Sequence, residues 1–301
     1  LHEKSRGLGD VYKRQVVINN TVSSPQELIF GVPQGSVMGP KNLKRYSKPI
    51  GVIARKHGLQ FHLYADDSQL YVTFSPKDPT DIQNAIQSVQ NCIKDIKAWM
   101  TANFLKLNSD KTEIVVITRN DVSQSIPHMQ VGDSTVEVST SARNLGVVFD
   151  TAMNMNKHVN SVCKKAFYEI RNIGRIRQYL DEKAANALVH AFVSSKLDYC
   201  NSLLLYGLPN KLHQKLQRVL NCAARVVAKV RKHDHITPTL ISLHWLPIPK
   251  RIEYKLLLIT FKALHGMAPT YLSELLHWHQ APRALRSNAL FLLKVPKNRL
   301  R

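Results

Sequence analysis

Apolar and polar residues alternate from Phe61 to Phe74, with Phe61 and Leu63 on one side of a polar centre and Leu70, Val72 and Phe74 on the other. A period of two predicts two half-buried strands. Asp66 and Asp67 fall at their join, so the pattern describes a hairpin with an acidic tip. The period then changes to that of a helix: Ile82, Ile86, Val89, Ile93, Ile96 and Met100 share one stripe, with Asp78 as N-cap and Pro79 in the first turn. Strands are predicted at "VVINN" and "QELIFGVPQGS", separated by a Thr-Val-Ser-Ser-Pro turn. Further strands are predicted at "TEIVVI", at "MQVGDSTVEV", turned by Gly132-Asp133, and at "NLGVVF". After Asp150 the pattern becomes helical. Val159, Val162, Ala166, Ile170 and Ile173 make one stripe, Ala184 to Phe192 a second, and Leu212, Leu216, Val219 and Ala223 a third. Pro247 and Pro249 precede a last helix, Arg251 to Leu264, ended by Gly266. The chain is thus expected to divide near residue 150 into an α+β part and a helical part.

Composition adds a partner to this outline. Lys+Arg number 42 against 21 Asp+Glu, a net charge of +21 over 301 residues, and such an excess fits a polyanion, nucleic acid above all. The cations lie in short clusters rather than one tail, as on a folded basic surface. No apolar run approaches the roughly 20 residues of a membrane span, and no signal-peptide core is present at the start. The expected setting is therefore nuclear or cytoplasmic, not secreted. Cys92, Cys163, Cys200 and Cys222 lack metal-ligand spacing and read as buried thiols. Residues 1–15, "LHEKSRGLGDVYKRQ", fit no periodic template and read as a non-native leader.

The acidic pair admits two readings. Asp is favoured in hairpin tips as a hydrated turn residue. Adjacent carboxylates also repel, and a rigid turn that holds them together suits a hard divalent cation such as Mg²⁺. Two such ions serve polynucleotide synthesis, activating the 3′ hydroxyl and stabilising the leaving pyrophosphate.

Four stretches favour the second reading: "GVPQGSVMGP" (31–40), "FHLYADDSQLY" (61–71), "WMTANFLKLNSDKTEIVVI" (99–117) and "NLGVVFD" (144–150). In this order they resemble the reverse transcriptases of non-LTR (LINE-type, jockey-like) retrotransposons. The resemblance continues through "KLDYCNSLLLYGLP" and the stretch from His233 to Leu272. It implies a partial polymerase palm, an antiparallel sheet with packed helices, over 16–150, and an α-helical thumb-like region over 151–301. It implies that Asp66 and Asp67 bind metal and act in catalysis, with Tyr64 and Ala65 beside the primer terminus and incoming nucleotide. Gly31, Pro33, Gln34, Gly35 and Ser36 resemble the loop supporting nucleotide and template, where glycine lets backbone approach a base or phosphate; a plain turn is the other reading. Lys111 is similar to the lysine that neutralises pyrophosphate, though a solvated strand-edge lysine fits the same residue. Asn144, Leu145 and Gly146 resemble the primer-grip hairpin, while Gly146 equally suits a tight turn. Implied cofactors are two Mg²⁺ ions. Implied partners are an RNA template, a DNA primer and deoxynucleoside triphosphates, and no membrane.

The sequence departs from this pattern twice. The family's third metal-binding Asp and its fingers belong upstream of the glycine loop and have no counterpart after the leader. A fragment of a longer polyprotein, inactive alone, is the expectation. Where the family continues with an apolar helix, "KNLKRYSKPIG" brings Lys41, Lys44 and Arg45, whose burial unpaired would cost several kcal/mol. The helical half carries Lys164, Lys165, Arg171, Arg175, Arg177, Arg218, Arg225, Lys229, Arg231 and Lys232, many of them off the apolar stripes and so free to face phosphates, with Lys164, Lys165, Lys229, Arg231 and Lys232 as backbone contacts; a merely solvated basic surface is the other reading. His233, His235 and His244 fit a packed loop better than a metal site, and Trp99 and Trp245 fit core anchors better than stacking platforms. Two other functions share these features: a non-catalytic nucleic-acid-binding remnant, and a maturase of the group II intron type.

Overall fold

The computed structural model describes residues 13–14, 17–19, 21–24, 26–27, 39–118, 126, 128–131, 134–279 and 292–294. The chain forms two compact units, one of Leu1–Ile114 with Asn120–Val138 and the other of Val115–Arg119 with Ser139–Arg301. The fold is a mixture of helices and small antiparallel ladders. The single sheet expected of the first half is absent among the described residues; five separate two-stranded ladders stand in its place. Each ladder pairs neighbouring stretches of chain, which local sequence can specify. Joining ladders into one sheet needs distant partners for their outer edges.

In the first unit, β1 (Lys13–Arg14) pairs with β4 (Gln26–Glu27), and β2 (Val17–Ile18) with β3 (Thr21–Val22). The predicted Thr-Val-Ser-Ser-Pro turn begins two residues too late: Thr21-Val22 is strand, and Asn19, at φ 48°, starts the reversal. Asn tolerates that left-handed backbone better than most residues. Helix α1 (Gly39–Lys56) and helix α2 (Pro79–Ala102) flank the hairpin of β5 (Gln60–Tyr64) and β6 (Asp67–Tyr71). As the sequence predicts, Asp78 caps α2, its carboxylate accepting from the Thr80 and Asp81 N–H groups. The buried stripe of α2 runs through Ile82, Ala85, Cys92 and Ile96, leaving Ile86 and Ile93 on its half-buried margins. Ile50, Ala54, Leu59, Cys92 and Ile96 form the core between helices and hairpin. Gly51 lies close against the Phe61 ring, since a Cβ would lie 2.4 Å from Phe61 Cζ and the ring would have to move. Strands β7 (His128–Val131) and β8 (Ser134–Glu137) make the predicted hairpin, its Gly132-Asp133 turn lying outside the described residues.

"TEIVVI" is not a strand. Ile114 makes one isolated bridge to Val138, and 115–118 have no regular structure. The apolar run has strand composition, but the chain passes from one unit to the other at Ile114, and a strand needs a ladder partner along its length.

The second unit begins with β9 (Ser141–Asn144) and β10 (Val147–Asp150), a hairpin where the sequence predicts one strand. It precedes the expected boundary near 150 yet packs with α3 (Asn156–Ile176). The other helices are α4 (Glu182–Val189), α5 (Ser195–Asp198), α6 (Asn201–Leu204), α7 (Asn210–Ala228), α8 (Thr237–Ser242), α9 (Ile248–Leu264) and α10 (Thr270–Ser273). A π-helical turn, His190–Ser194, links α4 to α5. The three predicted stripes meet: Val159, Ala166, Ile170, Val189, Leu216, Val219 and Ala223 share a core that Trp245 anchors. Pro247 and Pro249 begin α9 rather than merely preceding it, because the first helical turn needs no N–H donor.

Candidate functional site

The acidic hairpin takes its form from alternation. Phe61 pairs with Leu70 and Leu63 with Ser68, so Phe61, Leu63 and Leu70 face the core. The opposite face carries His62, Tyr64, Asp67, Gln69 and Tyr71, all exposed. The Tyr71 hydroxyl and His62 Nε2 lie 3.1 Å apart, with the rings stacked at 5.4 Å, which stiffens the stem below the acids.

Tyr64 pairs with Asp67, so the turn has only two central residues, Ala65 and Asp66. Ala65 has φ 53°. A positive φ at the first central position matches the right-handed twist of the strands, but it strains any residue with a Cβ. Asp66 therefore sits in the turn, and Asp67 opens β6 on the same polar face as Tyr64, which is two-thirds exposed. The two acids and Tyr64 are brought together at the tip.

Carboxylate oxygens are hard ligands, and Mg²⁺ binds through one or two carboxylates while waters and substrate phosphates complete its shell. Asp66 and Asp67 fit one such hydrated ion. A third His, Cys, Asp or Glu does not join them among the described residues, so the second ion implied by the resemblance needs ligands from elsewhere.

The remaining candidates are distributed. Gly31, Pro33, Gln34, Gly35 and Ser36 lie outside the described residues. Lys111 is exposed and closes a 3₁₀ turn, Ser109–Lys111, whose N-cap Asn108 accepts from the Lys111 N–H at 3.3 Å; it is not a strand residue. In the second unit, Leu145 and Gly146 form the β9–β10 turn with φ of 46° and 85°, the paired left-handed conformation that favours glycine. The Tyr199 hydroxyl donates to the Leu145 carbonyl at 2.7 Å and holds that turn against the helices. Lys164 and Lys165 are exposed on α3, beside a groove of about 460 Å³ lined with Ser161, Tyr168, Glu169 and Lys196.

Lys229, Arg231 and Lys232 are exposed in the loop after α7. Arg225 braces that loop by donating to the Arg231 and Asp234 carbonyls at 3.3 and 3.1 Å, so it is not free for a phosphate. Arg177 is a clearer correction. It is buried and donates to the carbonyls of Val226, Leu180 and Val227 at 2.8, 2.5 and 2.6 Å, capping the C-terminal end of α7. The signal was in the spacing, because Arg177 continues the Ile170–Ile173 stripe by four residues.

Sequence reasoning also missed the ion pair of Asp198 with Arg251, which ties two of the resembling stretches together. Cys92 is buried, and its thiol is pushed up to about 11 by burial and by Asp95. The other three cysteines are half-buried, and all four are free. No helix among the described residues is long and apolar enough to cross a membrane.

Comparison with known proteins bears on the same segment. Residues 7–149 match the family described as reverse transcriptase (RNA-dependent DNA polymerase). The match begins inside the expected leader and ends at Phe149 in β10. Over 178 residues, 58% of the chain, it is 22% identical to the "Probable RNA-directed DNA polymerase from transposon BS" of Drosophila melanogaster. Over 193 residues, 64% of the chain, it is 25% identical to the corresponding protein of transposon X-element from the same organism. Each alignment spans 19% of the relative's length. No solved structure matches.

Proposed function

We propose that this chain, whose residues 7–149 match the reverse transcriptase family, is the palm and thumb-like portion of an RNA-directed DNA polymerase of a non-LTR retrotransposon. The observation that carries the reading is the pair Asp66-Asp67 at a two-residue turn inside the matched segment. In this reading the pair holds Mg²⁺ where a primer 3′ end meets a deoxynucleoside triphosphate. Bound Mg²⁺ supplies a Lewis acid that neutralises phosphate charge and favours an ionised 3′ hydroxyl.

The chain's own residues position the reactants. Tyr64 and the left-handed Ala65 form a small platform beside the acids, and orientation of the reactants supplies much of the rate in phosphoryl transfer. Lys111 carries an exposed charge suited to the leaving pyrophosphate. Asn144, Leu145 and Gly146 make a tight hairpin suited to gripping the primer strand. Lys164, Lys165, Lys229, Arg231 and Lys232 contact the template–primer backbone without reading its sequence. A polymerase that works on cellular nucleic acid belongs in the nucleus or the cytoplasm and is not secreted.

Primer extension on an RNA template, by the polypeptide that contains this chain, tests the reading. Asp66→Ala or Asp67→Ala should abolish synthesis and leave template–primer affinity nearly unchanged. Full synthesis by either variant overturns the assignment.

A further inference from the structure

Helix α1 departs from the apolar helix that the resemblance implies, and its geometry accounts for the departure. Six of its 18 residues are cationic, Lys41, Lys44, Arg45, Lys48, Arg55 and Lys56, and none is acidic. At about 100° per residue all six fall within one arc of about 120°, and all six are exposed. The opposite side buries Ile50 and Ala54 in the core with α2 and the hairpin. Burial of Ile50 and Ala54 turns the cationic side outward, and the Phe61 ring packs at the margin of that side, against Gly51.

Two of the six cations are engaged. The Arg55 guanidinium lies 5.0 Å from the Phe61 ring centroid, and Lys56 Nζ is 3.5 Å from Asp95 Oδ2. Lys41, Lys44, Arg45 and Lys48 have no carboxylate within ion-pair distance among the described residues. Spaced three and four residues apart, they repel one another. The first turn carries Lys41 and no acid, at the end where the helix dipole is already positive. This arrangement costs stability in the free protein, and an anionic partner along the helix removes the cost.

We propose that Lys41, Lys44, Arg45 and Lys48 form a docking track for the phosphate backbone of a nucleic-acid duplex, separate from the acidic turn. The four span about 10 Å along α1, which covers about three phosphates of one strand at 3.4 Å each along the duplex axis. A membrane surface fits less well, because an interfacial helix inserts its apolar side and that side of α1 is occupied by the core. The choice of a polynucleotide rests on the polymerase reading; the location does not.

The test is fluorescence anisotropy of a labelled RNA–DNA hybrid bound by the whole chain across KCl concentrations. Replacing the four residues together (Lys41→Gln, Lys44→Gln, Arg45→Gln, Lys48→Gln) should make the slope of log K against log salt shallower by about 2.7, at roughly 0.9 per lost contact. The charge-preserving set Lys41→Arg, Lys44→Arg and Lys48→Arg should keep the original slope, and circular dichroism of both sets should match the parent. Equal slopes for the parent and the glutamine set overturn the proposal, as does a parent chain whose duplex binding ignores salt. Loss of binding to phosphatidylserine vesicles with duplex binding intact overturns it in favour of a lipid surface. If the track fails while Asp66→Ala still abolishes primer extension, the polymerase reading stands without it.

Discussion

The two units carry their charged groups on very different foundations. Beneath the acidic hairpin the connected core has five buried residues, Ile50, Ala54, Leu59, Cys92 and Ile96, whereas the helical unit's core has nineteen among the described residues. The hairpin therefore depends on a few contacts at one helix–strand junction, while the helices are held by a network in which many side chains share the load. The chemistry-bearing turn sits on the weaker foundation, and local opening should start there.

The largest expected effect is on the stronger side. Leu216 is 1% exposed at the centre of α7, and Leu216→Ala should cost the helical unit about 2–5 kcal/mol. Urea denaturation followed by hydrogen exchange at α3 and α7 amides measures it, and unchanged exchange in β5 and β6 would show that the units are independent. Gly51→Ala strikes the weaker side. It displaces the Phe61 ring, a cost of about 1–3 kcal/mol offset by the roughly 1 kcal/mol that alanine gains over glycine inside a helix, so the first unit should lose up to about 2 kcal/mol, seen as faster exchange of the β5–β6 amides with α7 unaltered. Equal loss in both units would break the comparison. Asp78→Ala, which removes the cap of α2, should cost about 1 kcal/mol and lower the thermal midpoint of the first unit alone.

Acid separates the units further. Burial, aided by Lys165, lowers the pKa of His158, whose Nδ1 accepts from the Val148 N–H at 3.3 Å. His190 is lowered in the same way, chiefly by burial and then by Arg251, with Asp198 opposing. A base that stays neutral in the fold but protonates when unfolded makes stability rise with pH. The helical unit should hold full stability above the ordinary histidine value of 6.5 and lose it as pH falls below. Urea midpoints between pH 7.5 and 5 check this, and His158→Asn should flatten the slope.

The smallest effect belongs to Asp95. Its carboxyl is held below 3.8, first by the hydrogen bond with His57, at 2.8 Å, and then by the charges of Lys56 and His57. This contribution is present above pH 3.8 and fades as pH falls through the folded-state value. Because the group is solvent-exposed the change should be slight, and Asp95→Asn should remove it.

Local order set much of this molecule. Asp78-Pro79 with a stripe beginning at Ile82 specifies α2 without help from the rest of the chain. The alternation around Asp66-Asp67 specifies a hairpin whose tip is acidic, and the spacings of Val159 to Ile173 and Leu212 to Ala223 specify the buried faces of α3 and α7. Each of these patterns repeats within a few residues, so each is written in the chain. What the tertiary structure decided is the identity of partners. "TEIVVI" has strand composition but meets only Val138; the 141–150 hairpin joins the helices through Tyr199; Arg177 leaves solvent for three carbonyls; and the cations of α1 escape a burial penalty because Ile50 and Ala54 turn the other side of the helix to a core against which the Phe61 ring packs. A ladder partner, a carbonyl acceptor and a facing ring all come from distant points in the chain, and side-chain periodicity encodes which face is buried but not what covers it.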